Sequence, residues 1–202
     1  MDVKTKAEQS ATTRAALIGA ARTLFAQRGY SGVPAEEIVR AAGVTRGALY
    51  HHFGGKEDLF RAVFEAVEGE LTKRIASEAM TGADPFAAMR AGAQAFLDSC
   101  LDPEVQRITL LDAPAVLGWQ QWRELGQRYG LGLIRASLEA AMDAGQIARQ
   151  PVTPLAHLHM GALDEAALLI AQADDVPAAR REIGAVVDGF LASFRLPDSP
   201  AT

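Results

Sequence analysis

The stretch from Pro34 to Phe53, PAEEIVRAAGVTRGALYHHF, constrains the chain more than any other. Ile38, Val39 and Ala42 fall at helical spacing, and Gly43 stands just beyond them, where a helix commonly ends in a left-handed residue. Thr45 then offers a hydroxyl to the free N–H groups of a second helix running to about His52. Helix, glycine-containing turn and capped second helix make up the plan of the DNA-binding helix-turn-helix.

The second helix has a chemically divided surface. At roughly 100° per residue, Arg46, Gly47, Tyr50 and His51 share an arc of about 140°, while Ala48 and Leu49 turn inward. A guanidinium fork can contact guanine bidentately, and Tyr and His can donate to phosphate oxygens. Gly47 removes a side chain where the helix would approach DNA closely. The helix N-terminus adds free N–H groups and a partial positive charge.

The segment GVTRGALYHHFGGKEDLF, Gly43 to Phe60, resembles the signature of the TetR family of bacterial transcriptional regulators, and the likeness extends back to about Thr13. The resemblance implies an all-helical homodimer of about nine helices. Residues 1–55 would form an N-terminal arm and a three-helix helix-turn-helix DNA-binding domain, with the motif itself at about 34–53. Residues 56–202 would form a helical body for ligand binding and dimerisation. Thr45, Arg46, Gly47, Tyr50, His51, His52 and Lys56 are the expected DNA contacts. Arg46 and His51 are the expected base readers, and Tyr50, His52 and Lys56 the phosphate clamps; His52 is carried over mainly from the resemblance. The chain departs from the family pattern at Pro34, where a hydroxyl cap is usual, and at Glu36, where a basic or polar residue is common. Glu36 could repel phosphate or accept from a cytosine amine; Glu36 and Glu37 could equally serve the positive end of their own helix.

The net charge of −5 fits a DNA binder only once it is divided. Residues 1–60 carry eight Lys/Arg and six acids, a net +2, and the remainder is −7. A basic reading head on an acidic body is compatible with that asymmetry. No apolar run approaches the roughly 18 residues that span a bilayer. The polar, acid-containing N-terminus is unlike a secretory signal, and a single cysteine suits a reducing cytoplasm.

The first ten or so residues, with Lys4 and Lys6, read as an arm, and a helix is expected from about Thr13, with Leu17, Ala20, Ala21, Leu24 and Phe25 on one face. A helix opening at Lys56 carries Leu59, Ala62, Val63, Ala66 and Val67; in the family it links reading head to body. After the TGADP break, further helices are expected at about 85–101, from Pro103 to a stop at Ala113-Pro114, and at about 119–144, 155–173 and 177–194. The tail from Leu196 reads as unstructured.

No enzyme motif is present: no P-loop, no G-x-G-x-x-G after a strand, no G-x-S-x-G and no H-E-x-x-H. Catalytic residues, metal ligands and cofactors are accordingly not expected. His157 and His159 would point about 160° apart on a helix and so would not share one metal; a metal site with Asp164 and Glu165 nearby is a minor alternative to a pocket-lining or hydrogen-bonded core histidine. An unidentified small-molecule effector would find stacking surfaces and polar anchors among Phe96, Cys100, Arg107, Trp119, Trp122, Arg123, Tyr129 and His159. The tryptophans could instead fill gaps between helices, and Cys100 could be plain core. Leu158, Ala162, Leu169, Ile183, Val187, Phe190 and Phe194 are the expected homodimer contacts, or an internal core face. Together these readings give a homodimeric regulator of double-stranded operator DNA, most simply a repressor released by ligand. A ligand-independent regulator, and a helical module or enzyme whose helix-turn-helix is mere scaffold, are the alternatives.

Overall fold

The computed structural model describes residues 5–197, and among these the chain is all α-helical. The helices are α1 (Lys6–Arg28), α2 (Ala35–Ala41), α3 (Arg46–Phe53), α4 (Lys56–Ala79), α5 (Pro85–Ser99), α6 (Pro103–Val105), α7 (Ala113–Leu117), α8 (Trp119–Asp143), α9 (Val152–Ala171) and α10 (Val176–Ala192). A π-helical stretch, Gln106–Asp112, joins α6 to α7. By its internal contacts the chain divides into two compact units. One holds the described residues up to Val67 with Pro103–Trp122, the other Glu68–Asp102 with the described residues from Arg123 onward.

The first helix begins earlier than its apolar spacing predicts. Thr5 and Glu8 form a capping box: the Thr5 hydroxyl accepts from the Glu8 N–H, and the Glu8 carboxylate accepts from the Thr5 N–H. That reciprocal pair satisfies two otherwise free donors and starts the helix at Lys6, about three turns before the first buried residue, Leu17. Lys6 therefore belongs to a helix and not to an arm, and Lys4 lies outside the described residues. Leu17, Ala21 and Phe25 carry the buried face, and Gly29, at φ 71°, closes the helix.

In the first unit α1 packs on α2, α3, α6 and the π stretch. Phe25, Tyr30 and Phe60 form a triangle of tilted and edge-on rings with centroids 5.2–5.7 Å apart. Arg22 forks onto Glu104 through Nε at 2.9 Å and Nη2 at 2.6 Å, fixing the start of the 103–117 segment against α1. The helix from Pro103 does not stop at Ala113-Pro114 as expected. It tightens from π to α register there and runs on to Leu117, because a proline in the first turn of a helix has no intrahelical bond to lose. Trp122 is buried, 6% exposed, and its indole N–H donates to the Thr109 carbonyl at 2.8 Å inside the π stretch.

The second unit has a continuous core from α5, α8, α9 and α10, in which Leu97, Leu138, Ala141, Ala156, Ile170 and Leu191 are fully enclosed. Asp84 caps α5 with Pro85 behind it, and Asp175 caps α10 with Pro177 in its first turn. A polar seam joins α5 to α10: Arg90 forks onto Asp188, Gln94 donates to Asp188 and to the Gly184 carbonyl, and Arg180 reaches Asp98 and Gln94. The chain beyond α10 is held where an unstructured tail was expected. Ile147 and Arg195 form an antiparallel bridge and Leu196 donates to the Gln146 carbonyl at 2.8 Å; residues 198–202 lie outside the described residues.

Trp122→Phe keeps an aromatic ring but removes the donor to Thr109 and part of the buried volume. It should cost about 2 kcal/mol, read as a lowered urea midpoint with an unchanged m-value.

Candidate functional site

Each half of the reading element is built as its residues dictate. Pro34 occupies the N-cap of α2, one position outside the first helical turn expected for it, and makes no side-chain cap bond. With no hydroxyl there, the start of α2 relies on its two first-turn acids. The turn into α3 uses Gly43 at φ 66°, a conformation that would strain any side chain. Thr45 accepts from the Ala48 N–H at 3.2 Å, a cap worth about 1 kcal/mol, and Gly54 closes α3 in the left-handed region. Leu49 and Phe53 are buried, and Arg14 of α1 lies over the Phe53 ring at 5.0 Å.

That burial leaves Thr45, Arg46, Gly47, Tyr50 and His51 exposed together on α3, with His52 and Lys56 partly covered. The Arg46 guanidinium lies 3.4 Å from the Tyr50 hydroxyl and 5.6 Å from the centre of its ring. The His51 and His52 rings sit edge to face at 5.1 Å. Lys56 is already engaged. Its ammonium donates to the Tyr30 carbonyl at 2.7 Å and stands 3.9 Å over the Tyr30 ring. Burial pushes its pKa down, against an opposing pull from Asp112. Asp112 in turn accepts from the Tyr30 N–H at 2.7 Å. The backbone of Tyr30 is thus held through both its N–H and its carbonyl, and Lys56 orients the turn between α1 and α2.

The residues expected to hold an effector fall in both compact units. Arg107, Trp119 and Trp122 belong to the first unit, whereas Phe96, Cys100, Arg123, Tyr129 and His159 belong to the second. Trp119 is exposed and stacks obliquely on the buried Trp122 at 4.8 Å, so the tryptophans pack on each other. Arg107 is exposed, and its side chain passes Gly29 beside Asp112.

The second unit contains a different group of polar residues. Burial and the nearby Asp164 raise the Glu68 carboxyl to about 7, and burial raises Asp164 to about 6 against the pull of Arg123. Both carboxylates sit within electrostatic reach of Cys100, a buried thiol that burial pushes up to about 12. Neither acid makes a hydrogen bond or salt bridge among the described residues. Each keeps some accessible surface. Gly69, next to Glu68, lets α4 approach the Tyr129 ring of α8, and Gly126 and Gly130 make room for the Met160 thioether of α9. His159, 3% exposed, is held neutral by burial at about 4, and both of its ring nitrogens lack partners. No group of His, Cys, Asp and Glu among the described residues is arranged to hold a metal ion.

Two family models match the chain. Residues 17–63 match the family model "Bacterial regulatory proteins, tetR family", and residues 86–194 match "Tetracyclin repressor-like, C-terminal domain". The chain belongs to the TetR family. A TetR-family transcriptional regulator from Pectobacterium atrosepticum superposes with a TM-score of 0.85 at 34% identity, covering 96% of this chain and 99% of that one. The Tn10 TetC protein of Escherichia coli is 24% identical over 93% of this chain and 95% of its own length. The transcriptional regulator AcrR of Shigella flexneri is 36% identical over 53% of this chain, a match spanning half of its length. Like these TetR relatives, the chain is a DNA-binding transcriptional regulator, and no helix among its described residues is long and apolar enough to cross a membrane.

The expected dimer contacts separate by helical face. Leu158, 68% exposed, and Leu169 stand outside on α9, and Phe190 on α10 is part exposed, packed edge-on to Phe194 at 5.0 Å. Ala162, Ile183 and Phe194 are partly covered. Val187 is buried in the core of its own protomer, and its neighbour Val186, 71% exposed, occupies the outer face. The TetR body thus presents Val186 where Val187 was expected, because one residue along a helix is a rotation of about 100°. Sequence reasoning also passed over Glu68. It continues the i, i+4 row of Phe60 and Phe64, and an acid in that row was the available signal.

Folding makes Glu68 and Asp164 hold their protons more tightly than the unfolded chain does. Both therefore favour the fold at low pH and favour it progressively less as pH rises from the ordinary carboxylate range to about 7. His159 acts in the opposite sense, favouring the fold as pH rises from about 4 to its ordinary 6.5. Glu68→Gln should therefore stabilise the protein by roughly 1–2 kcal/mol at pH 8 and change little at pH 4, measured by urea titration at the two pH values.

Proposed function

We propose that this TetR-family regulator is a homodimeric repressor that leaves a palindromic operator when a small molecule binds its helical body. The observation that carries the DNA half is the co-exposure of Thr45, Arg46, Gly47, Tyr50 and His51 on one capped, glycine-flanked helix. Such a face enters a major groove with its N-terminal residues at the base edges. On this reading Arg46 and His51 would read bases, while Tyr50, His52 and Lys56 would meet phosphate. Two protomers related by a two-fold axis would read two half-sites about one helical turn apart. Among relatives, the proteins named AcnR in Corynebacterium glutamicum and BepR in Brucella suis are termed repressors, which supports that sign of regulation here.

The effector half rests on the unpaired Glu68 and Asp164, the adjacent Arg123 and Tyr129, and the unpartnered His159. An apolar core of the same shape would be more stable, so directed polar groups left without partners are what a ligand site needs. Ligand binding would favour a spacing of the reading helices that no longer matches successive grooves. Helix α4, continuous from Lys56 to Ala79, is the element that would carry the difference. By linkage, operator DNA must weaken effector binding by the factor that effector weakens DNA binding.

Selection of bound sequences from a random duplex pool should return one palindrome, with affinity falling steeply as salt rises. Tyr50→Ala should weaken that site about tenfold, the size of one lost directed contact; an unselective protein would remove the DNA reading. The outer apolar residues Leu158, Val186 and Phe190 support a helical dimer contact. Leu158→Glu should give a helical monomer by sedimentation with operator binding lost, whereas an unchanged dimer would move the interface elsewhere.

A further inference from the structure

Both first-turn acids of α2 are paired, and the pairing differs. Glu37 meets Arg28 of α1 at 2.7 Å, which ties α2 to its brace. Glu36 points the other way, across the turn, and its Oε1 lies 3.3 Å from Nη1 of Arg46 at the start of α3. The other side of the same guanidinium meets the Tyr50 hydroxyl at 3.4 Å. Arg46 and Glu36 are 65% and 62% exposed, so the pair stands on the reading surface and is open to exchange. A helix-start acid that only complemented its own dipole would have no reason to engage the recognition helix.

We infer that Glu36 is a specificity-determining residue that positions Arg46 and makes its release conditional on a matching base. This rests on the DNA-reading conclusion above. The first helix of a helix-turn-helix crosses the phosphate backbone, where a bare helix N-terminus would attract any duplex regardless of sequence. A carboxylate there opposes that non-specific attraction. To contact DNA, Arg46 must exchange the carboxylate for another acceptor. Guanine O6 and N7 offer a bidentate replacement, whereas other base edges leave the exchange uncompensated. Glu36 therefore lowers affinity for arbitrary sequence more than for a site with guanine opposite Arg46. An exposed ion pair is weak enough to be broken on binding and still bias the choice.

The test uses the full-length protein, its selected operator, an unrelated duplex of equal length and the operator with the Arg46-facing guanine replaced. Glu36→Gln should tighten binding to the unrelated duplex by about three- to tenfold and steepen its salt slope by about 0.9, the value for one additional net phosphate neutralised. Operator affinity should rise less, so the ratio of operator to unrelated binding falls at least threefold, and discrimination against the replaced guanine weakens. In an Arg46→Met background, Glu36→Gln should no longer alter preference at that base pair, because Glu36 acts there through Arg46. Equal tightening on all three duplexes would reduce Glu36 to a general repulsive charge and overturn the proposal. No change on any of them would return it to a solvated helix-start acid. If the wild-type chain selects no sequence, the DNA-reading conclusion falls and takes this one with it; a selective wild type with a ratio unmoved by Glu36→Gln removes Glu36 alone. Thermal melting of each variant confirms that it is folded.

Discussion

The two-sided grip on the backbone of Tyr30 is the interaction on which the reading head depends. Its N–H donates to Asp112 from the π stretch, and its carbonyl accepts from Lys56 at the head of α4. The ring of the same residue packs on Phe25 and Phe60 and underlies the Lys56 ammonium. Three separate segments therefore converge on one residue in the turn between α1 and α2. The direction in which α2 leaves α1 is set at this point, and α3 follows α2 through a four-residue turn with one left-handed glycine. A partly buried ammonium close to an apolar ring would be costly if it lacked an acceptor. The carbonyl offsets that cost, and so the lysine and the turn hold each other in place.

Electrostatics on the reading surface follow from what the turn leaves exposed. Hydrogen-bonding side chains predominate there: Tyr50 and two histidines accompany an arginine that is already paired to Glu36. On such a surface directed contacts add discrimination to the salt-dependent attraction that counterion release supplies. The missing hydroxyl at Pro34 and the acid at Glu36 act in the same direction. Both remove sequence-independent attraction at the start of α2. What the family pattern would register as two losses is coherent as a single shift from phosphate affinity towards base discrimination.

Much of this was legible in the sequence. Leu49 and Phe53 against Arg46 and Tyr50 gave the orientation of α3, and Gly43, Thr45 and Gly54 gave its ends, because caps and helical period are local properties. The start of α1 was equally local but went unseen, since apolar spacing was followed where the Thr5–Glu8 pair carried the information. Pro114 was taken as a stop because a proline usually is one; the π register that accommodates it depends on tertiary packing of Trp122 on Thr109. Long-range pairings left no trace in composition. Nothing near Glu36 in the sequence announces Arg46 as its partner, and nothing near Trp119 and Trp122 separates them from Tyr129. Val186 and Val187 show the limit of the helical wheel: adjacent apolar residues on a broad apolar face differ only in which neighbouring helix arrives first.

The buried polar groups of the second unit raise a question of energetics that packing alone does not answer. Glu68, Asp164 and His159 each sit where burial opposes their charged form, and two of the three would be satisfied by an apolar isostere of similar volume. Structural ion pairs also perturb pKa values, but they do so by opposite charge, lowering acids. Here the acids are raised, and Arg123 only partly offsets the effect at Asp164. A core assembled for stability would pair these groups or omit them. On the proposed reading, a neutral imidazole at His159 and two carboxyls that titrate close to physiological pH leave hydrogen-bonding capacity and charge for a ligand to engage. The free energy so released is available only in the bound state, which is the condition a ligand must meet to shift a conformational equilibrium.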